Sequence, residues 1–286
     1  MRAKIILNSE VVHNPEKVSD RIERYLKNLD VDFEFAFTEY RGHARDIARE
    51  SDDCKLVVAV GGDGTVNEVV NGIMGFDKIL YVIPLGNENN FGKSIGIPKN
   101  LEKACERLYN SEPKLVDVGK FNDRYFISSG GIGLDGEIIK NLDRVPRKFP
   151  RPFRYFYTAV SSDKKPKEME IEFNGRKLEG EKLMVMTLNT FYVGNGMKFV
   201  PDAKIDDGML DLLVIGDIPL AEFGINLLKV YQGKRIVHPK IEYEKIKEVY
   251  IHTKVPTYAQ VDGESFENPL QEVHISICPK ALRIMY

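Results

Sequence analysis

Two rhythms of apolar positions divide the chain. Up to about residue 113, short continuous apolar runs at 3–7, 33–37, 56–60 and 79–84 alternate with stretches of helical periodicity at 15–29, 43–50, 66–74 and 101–109. Strand–helix alternation with short loops predicts a mainly parallel sheet with flanking helices, an α/β N-terminal domain. The run LVVAV at 56–60 is apolar at every position, as a strand covered on both faces must be. From about residue 114 strand patterns dominate. Turn signals at Asn122-Asp123 and Asn174-Gly175 predict hairpins, and further strands are expected near 210–214, 248–252, 258–261 and 271–277. Helical exceptions are expected at 135–142, 153–162 and 220–231. The pattern therefore predicts an α/β domain over 1–113 and a mainly antiparallel β domain over 114–278, with a ligand cleft between them.

Composition narrows the function classes. The 286 residues are 43% hydrophobic, with a formal charge of −2 that gives no reason to expect nucleic acid as a partner. No apolar run approaches the roughly 18 residues that a membrane span needs, and MRAKIILNSE reads as an opening strand rather than a signal segment. Cys54, Cys105 and Cys278 show neither metal spacing nor a disulfide framework, which suits a reducing cytoplasm. The histidines show no triad or metal spacing.

The sharpest local signal is LVVAVGGDGTVNEVVNGIMG, residues 56–75. A buried strand enters Gly61-Gly62-Asp63-Gly64-Thr65 and a helix follows. Glycines here let backbone N–H groups approach a phosphate, and the helix N-terminus favours its charge. The competing reading is a tight turn in which Asp63 or Thr65 only caps the helix. A P-loop is excluded because Gly-Lys-Ser/Thr is missing, and the dinucleotide fingerprint fails at Asn67. A second stretch, GNENNFGKS at 86–94, imitates a P-loop but has five residues between its glycines where four are required. Lys93 is therefore expected to be a surface residue at the start of a helix.

The full string GGDGTVNEVVNG resembles the signature of the diacylglycerol kinase catalytic-domain family, whose members include diacylglycerol, sphingosine and ceramide kinases. NAD kinases share GGDGT, but Glu68-Val69-Val70-Asn71-Gly72 is similar to the lipid kinases. SSGGIGLDGEI (128–138), LNTFYVGNGMKFVPDAKIDDGMLDLLVI (188–215) and QVDGE (260–264) resemble further family blocks in the family's order. Pro84, Gly86, Asn89 and Phe91 match its P-x-G-T-x-N-D-F segment.

The resemblance implies a NAD-kinase-like first domain, to which residues of about 279–286 return, and a β-sandwich second domain carrying the base. It implies transfer of the γ-phosphoryl group of ATP, with Mg2+, to a lipid hydroxyl at a membrane surface. Asn8, Ser9, Thr38, Gly61, Gly62, Asp63, Gly64, Thr65, Asn67, Glu68, Gly86 and Asn87 would surround the nucleotide. Glu264 would be the proton acceptor, with Asp262 and Asp63 in the catalytic group. Asp207, with the main chain of Lys204 and Met209, would hold a second, structural metal ion. Read without the family, Asp262-Gly263-Glu264 is an acidic hairpin turn and Asp206-Asp207-Gly208 another turn.

Departures from the family concentrate around the nucleotide. Asn87 stands where the family has Thr, Asn90 where it has Asp, and Asn8-Ser9-Glu10-Val11-Val12 where it has N-P-x-S-G. Two alternatives follow: an NAD-kinase-like enzyme, or a non-catalytic relative that binds lipid or nucleotide. RVPRKFPRPFRYFY (144–157) reads either as a surface for anionic lipid headgroups or as a helix whose rings pack inward. The acceptor lipid and the oligomeric state, a homodimer included, stay open.

Overall fold

The apolar runs of the first third become buried strands in the computed structural model, which describes residues 2–27, 31–146, 149, 151–161, 165–194, 196–219, 222, 226 and 229–286. The chain separates into two units, Met1–Asp117 with Lys280–Tyr286, and Val118–Pro279. The first contains β1 (Arg2–Leu7), α1 (Pro15–Leu26), β2 (Asp32–Phe37), α2 (His43–Arg49), β3 (Leu56–Gly61), α3 (Asp63–Ile73), β4 (Ile79–Pro84), α4 (Asn90–Ser94) and α5 (Leu101–Tyr109). Its strands run parallel in the order β2–β1–β3–β4, and Arg283 and Ile284 of the chain's last strand pair with β4 on the far side. Both β3 and β4 are buried at every position, which explains their unbroken apolar sequence.

The chain moves outward from β1 to β2, then crosses to β3. The strand order thus reverses between β1 and β3, and open α/β sheets bind ligands at the carboxyl ends of strands flanking such a point. Two differences from the sequence pattern matter. Helix α3 begins at Asp63, so that Asp63-Gly64-Thr65 form its first turn. Helix α4 starts at Asn90, three residues before the helix start expected at Lys93. The predicted extension of the first helix over 28–29 lies outside the described residues.

The second unit begins within β5 (Pro113–Phe121) and contains β6 (Arg124–Phe126), β7 (Ser129–Gly133), α6 (Leu134–Asn141), α7 (Arg151–Ser161), β8 (Lys167–Phe173), β9 (Arg176–Leu178), β10 (Glu181–Leu188), β11 (Leu210–Gly216), β12 (Ile241–Ile246), β13 (Glu248–Thr257), β14 (Ala259–Val261), β15 (Glu264–Ser265) and most of β16 (Leu270–Met285). One antiparallel run is β12–β11–β10–β7–β14–β15 and another is β9–β8–β13–β16. Ile132, Val185, Leu212 and Val214 of the first run share a core with Met169, Ile171, Ile251 and Ile275 of the second. This is a β-sandwich. Alternate residues Met184, Met186, Leu213 and Ile215 face the other way, onto Leu134 and Ile138 of α6. The hairpins at Asn122-Asp123 and Asn174-Gly175 form as expected, with both asparagines left-handed at φ 52° and 48°. Strands β7 and β12 were not anticipated, and most of the helix expected over 220–231 lies outside the described residues.

Candidate functional site

In the first unit the predicted nucleotide residues gather along the carboxyl edge of the sheet. Asn8 follows β1 and Thr38 follows β2; the Thr38 hydroxyl accepts the Ser9 amide at 3.2 Å. Asn8 Nδ2 donates to Thr65 Oγ1 at 2.9 Å, bridging the point where the strand order reverses. Its Oδ1 accepts the amides of Glu10 and Val11, which turns the chain after β1. Beside it, the amides of Leu85 and Gly86 both donate to the Gly61 carbonyl at 3.0 Å. A Cβ on Gly86 would collide with the Gly62 backbone, so the loops after β3 and β4 press together only because residue 86 is glycine.

Asp63 anchors the second of these loops. Its Oδ1 accepts the Phe91 amide and its Oδ2 the Asn90 amide, each at 3.0 Å, so this carboxylate caps α4 from another element. Burial pushes the Asp63 carboxyl above the usual carboxylate range, the two amides pull it back, and the neighbouring Glu88 pushes it up again. Asn90 Nδ2 donates to Glu88 Oε2 at 2.8 Å and to Asp63 Oδ2 at 3.4 Å. Asparagine therefore separates two carboxylates where the family's aspartate would add a third. A half-buried carboxylate pair beside a glycine-lined loop suits a divalent cation arriving with phosphates. Asn89, left-handed at φ 53° and buried, accepts the Gly86 amide and donates to the carbonyls of Pro84 and Gly86. It builds the loop and was not among the predicted site residues. Its legible signal was an Asn-Asn pair after a strand, since asparagine tolerates this backbone region.

Three predicted residues take positions other than those expected. Glu68 accepts the amides of Gly42 at 2.9 Å and Ala44 at 3.2 Å, so its carboxylate caps α2 rather than lining the glycine loop. Asn67 is buried on the inner face of α3 and accepts from Asn71. Lys93 lies in the last turn of α4, half-buried, where burial lowers its ammonium against the opposing pull of Glu88 and Asp63. It is neither a surface residue nor the first of its helix. Asn87 is exposed.

In the second unit Asp262 is left-handed (φ 46°), and its carboxylate receives three backbone donors. The Ile127 amide reaches Oδ2 at 2.8 Å; those of Ser128 and Ser129 reach Oδ1 at 2.8 and 3.0 Å. The same turn is held from below. Gly263 N donates to Gln260 Oε1 at 2.8 Å, and Gln260 Nε2 donates to the buried Asp135 at 2.5 Å. This fixed turn presents Glu264, whose side chain is 21% exposed and pairs with Arg124 at 3.4 Å. Asp135, Gln260 and Arg124 were not predicted; the Asp135–Gln260 and Arg124–Glu264 pairs join residues remote in sequence.

Around Asp207 the neighbouring cation is an ammonium. Lys245 Nζ lies 2.7 Å from Asp207 Oδ2 and 3.2 Å from Asp211 Oδ2, while Asp207 Oδ1 accepts the Met209 amide at 3.1 Å. Among the described residues no three His, Cys, Asp or Glu side chains form a metal cage. A divalent ion at Asp207 would have to displace Lys245. In the basic–aromatic stretch, Arg154 is buried against the carbonyls of Leu142 and Val145. Phe149, Phe153 and Tyr157 are exposed, with Phe149 tilted against Phe153 and Phe153 stacked on Tyr157. Arg147 and Lys148 lie outside the described residues. No described helix is long and apolar enough to cross a membrane.

Residues 2–121 match the family profile described as diacylglycerol kinase catalytic domain, and residues 128–286 that of the YegS C-terminal NAD kinase beta sandwich-like domain. The chain is 31% identical over 269 residues to a diacylglycerol kinase of Staphylococcus carnosus, covering 90% of this chain and 88% of that one. It is 29% identical over 293 residues to a diacylglycerol kinase of Bacillus subtilis, covering 95% and 96%. The crystal structure of a diacylglycerol kinase from Bacillus anthracis aligns with a TM-score of 0.78 at 26% identity, over 100% of this chain and 96% of that one. Another structure from that organism reaches 0.86 at the same identity and coverage.

Proposed function

The chain belongs to the diacylglycerol kinase family and is an ATP-dependent lipid kinase that phosphorylates an alcohol; from that premise we propose that diacylglycerol is its acceptor, collected at the cytoplasmic face of a membrane. The reaction assigned to this chain is the following. The acceptor hydroxyl gives its proton to Glu264, its oxygen bonds to the γ-phosphorus, and the bond to the β-phosphate oxygen breaks to release ADP. Such transfer is mostly positioning and charge stabilisation. Mg2+ carried by ATP would neutralise phosphate charge, and Asp63 of the glycine loop and Glu88, joined through Asn90, are the carboxylates that would hold it.

The observation that carries this reading is the turn at 262–264. Three backbone amides hold Asp262, so it acts as scaffold, and the next carboxylate, Glu264, stays partly exposed as the proton acceptor. A base must be fixed before it can accept a proton in the transition state. The edge of the first unit, with two glycine loops in contact and Asn8 tied to Thr65, is the place for the nucleotide. The exposed, adjoining rings of Phe149, Phe153 and Tyr157 fit a lipid surface.

The test is a panel of acceptors with γ-labelled ATP and magnesium: diacylglycerol, a sphingoid base, a polyprenol and NAD, the lipids in mixed micelles. Label in phosphatidic acid is the expected result. Label confined to NAD, or to another lipid, overturns the choice of acceptor.

A further inference from the structure

Beyond the phosphate loops, the carboxyl edge of the first unit carries an aromatic feature that the reaction does not account for. The rings of Tyr40, in the loop after β2, and His43, the first residue of α2, are stacked at 4.4 Å between centroids and 8° between planes. The pair is built rather than incidental. The Tyr40 hydroxyl donates to Asp46 Oδ2 at 3.3 Å, and His43 Nδ1 accepts the Glu39 amide at 3.0 Å, which leaves the imidazole proton on Nε2. The His43 amide donates to the Tyr40 carbonyl, and Gly42, between the two residues in the chain, turns with φ 91°. Glu68, from the helix that follows the glycine loop, takes the amides of Gly42 and Ala44. Tyr40 nevertheless remains 54% exposed.

We propose that the stacked Tyr40–His43 pair is the platform on which this kinase binds the purine ring of its nucleotide, the exposed face of Tyr40 lying against the base. The proposal rests on reading the first unit as the nucleotide site. Its placement follows from the strand order. The glycine loop leaves β3, and β2 lies two strands away, a lateral step of roughly 10 Å at the usual interstrand spacing. That step is comparable to the distance from a nucleotide's β-phosphate to its base, with Thr38 and Ser9 beneath the ribose. The platform is rigid before ligand arrives, so stacking costs little ordering of the protein. Glu68 then has a physical role: it couples the platform's loop to the helix of the phosphate loop.

The experiment is calorimetric binding of MgATP and of magnesium tripolyphosphate, which has no base, to the full chain and its Tyr40→Ala and Tyr40→Phe variants. Quenching of an etheno-adenine analogue of ATP reports ring stacking in parallel. Tyr40→Ala is expected to weaken MgATP by roughly five- to a hundredfold, the range of aromatic–base stacking. It should leave tripolyphosphate unchanged and abolish the quenching, while Tyr40→Phe stays within about twofold of the parent. Unchanged MgATP affinity in Tyr40→Ala overturns the proposal, and so does an equal loss for both ligands, because that signals a collapsed loop. A parent chain that binds tripolyphosphate as well as ATP has no working platform. One that binds neither shows that the nucleotide site itself is misplaced.

Discussion

Replacing Asp262 by asparagine removes one acceptor from a cluster of three amides and sets an amide donor against the Ile127 N–H. The oxygen of asparagine can still accept from Ser128 and Ser129, and asparagine suits the left-handed backbone at φ 46°. Ile127, Ser128 and Ser129 are 1%, 6% and 3% exposed, so water does not replace the lost acceptor. Losing a charge-assisted bond and leaving a buried N–H unpaired costs about 2–4 kcal/mol. For a domain of 150–250 residues that corresponds to roughly 5–15 °C in Tm. Asp262→Ala loses every acceptor and adds left-handed strain of about 1 kcal/mol, so it should fall further. The chain has no tryptophan, which makes far-UV circular dichroism and calorimetry the suitable probes. Hydrogen exchange at 127–129 should quicken in both variants, and Glu264→Gln should melt within a degree or two of the parent. An Asp262→Asn protein that melts like the parent yet transfers no phosphate would refute the scaffold role and place Asp262 in the chemistry.

Further predictions follow from other pairings. Asn90→Asp sets a third carboxylate against Asp63 and Glu88; its Tm should drop by about 5 °C in EDTA, from a loss of roughly 2 kcal/mol, and recover with Mg2+ more than the parent does. Equal melting in EDTA contradicts this. Lys245→Met leaves the buried Asp211 and its neighbour Asp207 facing each other. A loss of about 1–2 kcal/mol is expected in urea titrations, discounted because Lys245 is 40% exposed; an unchanged midpoint refutes the ammonium's role. Burial pushes the Cys105 thiol up to about 12, so in folded protein at pH 8 iodoacetamide should modify the half-buried Cys278 first and Cys105 only on unfolding. Peptide mass mapping that finds Cys105 alkylated as fast as Cys278 would contradict its placement.

The parallel half was legible because its strands are apolar at every position and its helices periodic, and the hairpins because Asn-Asp and Asn-Gly name their own turns. Strand β7 was not legible. Its sequence SGGIG reads as a loop, yet its glycines are where side chains have no room: a Cβ on Gly131 would crowd the Asp135 carboxylate, and one on nearby Gly136 would strike the Tyr258 carbonyl. Strand β12 is hidden by alternating charges in IEYEKI. At the site, the residue types were readable and their duties were not. Asp262 meets amides more than 130 residues earlier in the chain, and Glu68 meets those of Gly42 and Ala44 on another helix. A carboxylate that caps a distant element looks in sequence like one that performs chemistry. Only the fold separates Asp262 from Glu264.

That separation is the centre of the account, and one comparison tests it: phosphate transfer from γ-labelled ATP to diacylglycerol by the parent and by Glu264→Gln, with both proteins' melting and ATP affinity measured alongside. The prediction is a fall in kcat of roughly 10²- to 10⁴-fold, the usual contribution of a general base, with Tm and ATP affinity nearly unchanged. Transfer by Glu264→Gln at the parent's rate, from protein that melts normally, would contradict it.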